Sequence, residues 1–116
     1  MYLVYGIKNC NTVKKALTFL DNHKVEYRFH DYKKDGITKA KLREWSLQVG
    51  WQKLVNKKGT TWRILDDSVK NDITSEAKAI TLMVEKTSVI KRPLIEKDNK
   101  IIALGFEDDI YGSMEW

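Results

Sequence analysis

The sequence predicts an α/β domain: a four-stranded mixed sheet with an inserted helical subdomain. Three observations lead there. The first 32 residues alternate strand, helix and strand; the middle, approximately 37–87, carries helical spacing; and two short apolar runs near the end flank an Asp-Asn pair. The chain has 116 residues, 42% hydrophobic and 32% charged, enough to bury one core without disulfides or metal, and it is read as a single domain spanning 1–116.

Each element has a local cause. Tyr2-Leu3-Val4-Tyr5 has strand character, and Gly6 to Asn11 is turn-like. From Val13 onward, Val13, Ala16, Leu17 and Leu20 recur at i, i+3, i+4 and i+7, the stripe of an amphipathic helix, with Thr12 or Asn11 placed to cap it. Asn22-His23-Lys24 ends that helix, and Val25, Tyr27 and Phe29 then alternate with polar neighbours as in a strand. Strand, helix and strand in so short a stretch form a βαβ unit with parallel strands and a right-handed crossover.

In the middle, Thr38 caps a helix with Leu42, Trp45 and Val49 on its apolar face, and Gly50 is its stop. Gln52 to Asn56 suggests another helical turn, and Lys57-Lys58-Gly59-Thr60-Thr61 a polar loop leading into Trp62-Arg63-Ile64-Leu65. Thr74 is placed to cap a helix carrying Ile73, Ala77, Ile80, Met83 and Val84. Near the end, Leu94 to Lys97 and Lys100 to Leu104 flank Asp98-Asn99, a two-residue hairpin signal. Pro93, the only proline, stands just before the first of these strands; Gly105 breaks the second, and Glu107 to Trp116 suits a terminal helix. A βαβ unit, then helices, then ββα is the connectivity of a thioredoxin-like domain of the glutaredoxin type.

Charge and composition narrow the partners. The net charge is +5, but the lysines are scattered among Asp and Glu rather than gathered into a stripe, which argues against nucleic acid. One cysteine excludes an internal disulfide and a cysteine-rich zinc site, and His23 and His30 have no metal-ligand spacing, so no metal is expected. No apolar run approaches the roughly 18 residues that cross a bilayer, and no signal-peptide pattern is visible. The expected location is the cytoplasm, with no membrane partner.

Cys10 is the candidate for chemistry, because it falls where a strand turns into a helix. Unpaired N–H groups and the positive end of the helix dipole both favour thiolate over thiol there. A cation about 5 Å away adds roughly 3 kcal/mol at an effective dielectric of 20, and each pKa unit is worth about 1.4 kcal/mol. Lys8, Lys14 and Lys15 are the nearest cations in sequence; Arg63, after the Gly-Thr-Thr loop, and Arg92, before the lone proline, stand out by context. The competing readings are a buried, inert cysteine and two surface arginines. Trp45 reads as core, and Trp62 as either packing or a pocket wall.

Several segments also carry a resemblance. Tyr5-Gly6-Ile7-Lys8-Asn9-Cys10-Asn11-Thr12-Val13-Lys14-Lys15-Ala16, Tyr27 to Tyr32, Gly59-Thr60-Thr61-Trp62-Arg63 and Ile90-Lys91-Arg92-Pro93-Leu94 are similar to the ArsC/Spx family, above all its YffB-like branch. The resemblance runs nearly end to end. It implies a thioredoxin-like fold with a helical insertion, Cys10 as nucleophile and Pro93 as a cis proline. It also implies that Arg63 and Arg92 match two arginines that bind the oxyanion in arsenate reductases, which resolve their cysteine adduct with glutathione and glutaredoxin.

The chain departs from that pattern in places. Gly6 stands where those reductases carry a histidine, Asn11-Thr12-Val13-Lys14 where they carry Gly-Thr-Ser-Arg, and Gly105 and Phe106 near their third arginine. Val13 stands where Spx regulators have a second cysteine. A single thiol needs an external resolving partner, and glutathione is the expected co-substrate. The expected activity is that of a glutathione-dependent thiol reductase. Cys10 would attack a disulfide or a small oxyanion, while Asn11, Thr12, Arg63, Arg92 and Pro93 hold substrate or glutathione. The alternatives are arsenate reduction coupled to glutathione and glutaredoxin, and a non-enzymatic adaptor that binds RNA polymerase as Spx does.

Overall fold

The computed structural model describes all of residues 1–116, which divide into two compact units. The first comprises Met1–Asp35 and Arg92–Trp116; the second is Gly36–Lys91.

The first unit holds the sheet. Strand β1 (Tyr2–Gly6), helix α1 (Asn11–Asn22) and strand β2 (Tyr27–Asp31) form the βαβ unit, and a helical turn α2 (Tyr32–Asp35) follows. Strands β3 (Leu94–Lys97) and β4 (Lys100–Leu104) and helix α8 (Asp108–Ser113) complete it. The strand order is β2-β1-β3-β4, with β1 parallel to β2 and antiparallel to β3, so the sheet is mixed and thioredoxin-like as expected. Asp98 and Asn99 both adopt positive φ, +51° and +64°, the conformation a two-residue hairpin turn demands and Asp and Asn tolerate.

The two faces of this sheet differ. Tyr2, Val4 and Ile95 pack with Ala16 and Leu20 of α1 and with Tyr111 of α8, forming the core of the unit. Tyr111 donates from its hydroxyl to the Gly105 carbonyl at 2.8 Å, and Trp116 Nε1 donates to the Tyr111 carbonyl at 2.9 Å, which anchors the last residues on this core. Leu3, Tyr5, Leu94 and Glu96 alternate onto the other face. Gly6 lies on the α1 face: a Cβ there would sit 2.9 Å from Val13 Cγ2, so only glycine lets the start of α1 approach the strand this closely.

The second unit is helical and contains the residues 37–87 in which an insertion was expected. Helices α3 (Lys39–Val49) and α7 (Glu76–Glu85) are its longest, with short turns α4 (Trp51–Leu54), α5 (Thr60–Arg63) and α6 (Asp67–Asp72) between them and a 3-10 turn (Thr87–Val89) after. Helix α3 packs on α7 and α4, with Leu42, Trp45, Leu54, Ala79 and Met83 all fully buried. Thr38 caps α3 by accepting the Lys41 N–H at 3.1 Å, as its sequence implied. Gly50 ends α3 at φ +85°, a conformation that favours glycine.

Three boundaries differ from the sequence reading. The cap of α7 is Ser75, whose hydroxyl accepts the Lys78 N–H, while Ile73 and Thr74 lie before the helix. Gly59-Thr60-Thr61 does not remain a loop, because Gly59 takes the N-cap position and Thr60 opens the α5 turn. At the end of the chain, α8 covers Asp108–Ser113 rather than running to Trp116. No helix of the protein is long and apolar enough to cross a membrane.

Candidate active site

Cys10 itself occupies the N-cap position of α1, one residue before Asn11 and two before Thr12, the caps the sequence suggested. Its extended backbone (φ −142°, ψ 123°) lets its carbonyl accept the Lys14 N–H at 2.9 Å, the first bond of the helix. The sulfur makes no geometrically complete capping hydrogen bond, but it faces the N–H groups of Val13 and Thr12 closely enough for both to favour its charged form. Cys10 is half-buried, not sealed in the core.

Arg92 is the second component. It directly precedes Pro93, and the Arg92–Pro93 peptide is cis, as the resemblance implied. Pro93 is buried, and its carbonyl accepts the Gly105 N–H at 2.7 Å, which ties this turn to the end of β4. The Arg92 guanidinium acts on the Cys10 sulfur both as a positive charge and as a hydrogen-bond donor. Burial of the sulfur is the largest single influence on its ionisation and opposes it. The Val13 N–H, the charge and hydrogen bond of Arg92 and the Thr12 N–H together outweigh it, so the thiol is held below its ordinary pKa.

Asn11 and Thr12 are exposed and open a groove of about 800 Å³ that runs along α1. Lys14 and Lys15 supply positive charge to it and Asp108 negative charge. Phe19 and Phe106, with ring centroids 6.3 Å apart, line it with aromatic surface. Of the predicted site residues, Cys10, Asn11, Thr12, Arg92 and Pro93 all belong to the sheet unit. Arg63 belongs to the helical unit, where its side chain is exposed at the end of α5 and its carbonyl accepts Lys70 Nζ at 2.9 Å. Trp62 is 8% exposed, with Lys57 Nζ 5.5 Å above its ring, so it is a packing residue of that unit.

Sequence reasoning missed a polar cluster on the opposite sheet face. Glu96 is completely buried and accepts a hydrogen bond from the Tyr5 hydroxyl at 3.2 Å. The Tyr5 ring stacks on Tyr32 at 6.2 Å and lies 4.9 Å from His30. The period-two pattern offered a signal, because it puts Glu96 on the same face as Leu94 and Tyr5.

A thioredoxin-like sheet with a half-buried cysteine capping its first helix, and a cis proline preceded by an arginine that reaches the sulfur, defines a class built around thiol chemistry. The chain belongs to the ArsC family, whose model matches residues 5–114. Among solved structures, the protein named YffB superposes with a TM-score of 0.88 at 50% identity, covering 97% of each chain. An arsenate reductase (ArsC) related protein from Brucella melitensis gives a TM-score of 0.79 at 40% identity, covering 97% of this chain and 92% of its own. An uncharacterised protein of Haemophilus influenzae is 46% identical over 111 residues, 96% of either chain.

Proposed function

We propose that this protein is a glutathione-dependent thiol reductase with Cys10 as its nucleophile. The observation that carries the reading is the convergence of Arg92 and the Val13 and Thr12 N–H groups on one half-buried sulfur. The thiolate is the nucleophilic form, so these groups raise the reactive fraction at neutral pH.

The chemistry runs by thiol–disulfide exchange. The Cys10 thiolate attacks a disulfide that carries a glutathionyl half. A Cys10–glutathione disulfide forms, and the substrate thiolate leaves with the electron pair of the broken S–S bond. A second glutathione thiolate then attacks the glutathionyl sulfur, releasing oxidised glutathione and restoring the Cys10 thiolate. Net, one free glutathione is consumed: its sulfur is oxidised to the disulfide level as the substrate sulfur is reduced to a thiolate, and the glutathionyl half passes from substrate to Cys10 to oxidised glutathione. Arg92 and the N–H groups of α1 stabilise Cys10 again as it becomes the leaving group.

The groove beside Asn11 and Thr12 supports glutathione as the partner. Its volume falls in the range of small-molecule sites, and Lys14, Lys15 and Asp108 match the carboxylates and ammonium of a zwitterionic peptide. The test is incubation of the reduced protein with oxidised glutathione, read by mass spectrometry, followed by turnover of a glutathionylated peptide. The expected result is one glutathionyl adduct on Cys10 that excess glutathione removes, and no adduct or turnover in Cys10→Ser. Failure of the wild type to form the adduct would sink the proposal.

A further inference from the structure

The groove beside Cys10 is longer and more aromatic than glutathione requires. Helix α1 supplies most of its lining, from Asn11 to His23, a length of about 18 Å at the rise of an α-helix. A tripeptide spans only about 10 Å when fully extended, so glutathione beside Asn11 and Thr12 covers roughly half of it. The chemistry differs as well. Glutathione is a γ-linked glutamate, a cysteine and a glycine, with carboxylates, amides and an ammonium group but no apolar side chain. Phe19 and Phe106 nevertheless line the groove, and both are only partly buried.

These two rings are held in place, with centroids 6.3 Å apart. Tyr111 meets Phe106 edge-to-face at 4.6 Å and Phe19 at 5.5 Å, and its own hydroxyl is fixed on the Gly105 carbonyl. His23 stacks on Phe19 at 3.9 Å, with its Nδ1 2.8 Å from the Phe19 carbonyl. The Gly105 N–H donates to the Pro93 carbonyl at 2.7 Å, so Phe106 leaves the sheet beside the cis-proline turn. Rings already fixed lose little freedom on binding, and such a pair accepts an aromatic or large aliphatic side chain.

In thiol–disulfide exchange the attacking, central and leaving sulfurs line up, so the leaving half lies beyond the glutathionyl sulfur. Only that half brings an apolar side chain to the groove. We propose that Phe19 and Phe106 form a subsite for the leaving half of the mixed disulfide, and that this half is a polypeptide. From Cys10 to Phe19 the helix rises about 13 Å, and the Phe19 side chain leans back towards the helix N-terminus by about a turn. An extended chain covers that distance with an apolar side chain about three residues from the modified cysteine. The substrate class is thus glutathionylated proteins rather than small mixed disulfides. The inference rests on the glutathione-dependent reading of Cys10.

The test compares two short glutathionylated peptides that differ only in carrying phenylalanine or serine about three residues to either side of the modified cysteine. The cysteine–glutathione mixed disulfide is assayed beside them. The wild type is expected to reduce the phenylalanine peptide with about tenfold higher kcat/KM than the serine peptide, through a lower KM. In Phe106→Ala and in Phe19→Ala that ratio is expected to fall to about one, a comparison within each variant that a general loss of stability does not alter. A second readout carries the test if neither variant folds. Benzoylphenylalanine replaces the phenylalanine, and the peptide is photo-cross-linked to Cys10→Ser, which does not consume it. Mass spectrometry is expected to place the adduct on Phe19, His23 or Phe106. Equal kcat/KM for the two peptides, a preference that persists in either ring variant, or cross-links confined to other residues overturns the inference. If neither peptide nor the small mixed disulfide is reduced, the glutathione-dependent reading falls with it; turnover without a phenylalanine preference leaves that reading standing.

Discussion

The two faces of the sheet have opposite chemistry on the same strands. Towards α1, Tyr2, Val4 and Ile95 meet Ala16, Leu20 and Tyr111 in an apolar core. On the other face, one residue along each strand, Tyr5 and Glu96 form a buried hydrogen bond beside Tyr32 and His30. Burial of apolar area is non-directional, so the first face contributes stability and tolerates small shifts. A buried carboxylate depends on each partner's position, so the second face contributes geometry. Arg92, two residues before β3, acts on the Cys10 sulfur.

Substitutions on either face, and one in the other unit, can break this contrast. The largest effect on stability is expected for Leu20→Ala. Its fully buried side chain leaves a cavity worth about 2–5 kcal/mol by denaturant unfolding, with no shift in the Cys10 titration. Tyr5→Phe is expected to cost about 1–3 kcal/mol by the same measurement, because it removes the Tyr5 hydroxyl donor from the buried Glu96 carboxylate. If both substitutions moved the thiol titration equally, the two faces would not be functionally distinct. In the helical unit, Ser75→Ala removes the cap of α7, with an expected loss of about 0.5–2 kcal/mol and no change at Cys10.

The smallest effect on stability is that of Cys10 itself. Its folded pKa lies below that of the free thiol, so the folded state binds its proton less tightly than the unfolded state. Relative to Cys10→Ser, the wild type should gain stability as pH rises from the folded pKa to the free-thiol pKa. That gain is complete above the window and lost as pH falls through the folded value. Unfolding curves across this window check the sign, and alkylation rates should show a midpoint below the free-thiol value.

Much of the fold was legible because it rests on local periodicity. The α1 stripe, the alternation through Phe29 and the Asp98-Asn99 turn each follow from neighbouring residues. The short turns α4 to α6 were harder, since four to six residues carry little period and tertiary packing decides them. Thr74 and Ser75 offer the same hydroxyl, and sequence alone does not choose which caps α7. At the site, the helix-start position of Cys10 came from pattern, whereas its approach to Arg92 spans most of the chain and was visible only through family resemblance. The burial of Glu96 was hidden for a related reason: alternation assigns a face, but not what covers it.

Gly6 gives the thiol a mechanical setting as well as an electrical one. Its missing methyl group lets Val13 rest against β1, and Val13 is also the residue whose N–H is the strongest aid to the thiolate. An uncharged side chain at position 6 would meet the Val13 side chain at its first carbon and force that contact to shift, while leaving every formal charge in the protein unchanged. Steric bulk on a neighbouring strand thus bears on the residue that supports the Cys10 thiolate, a dial that operates through distance.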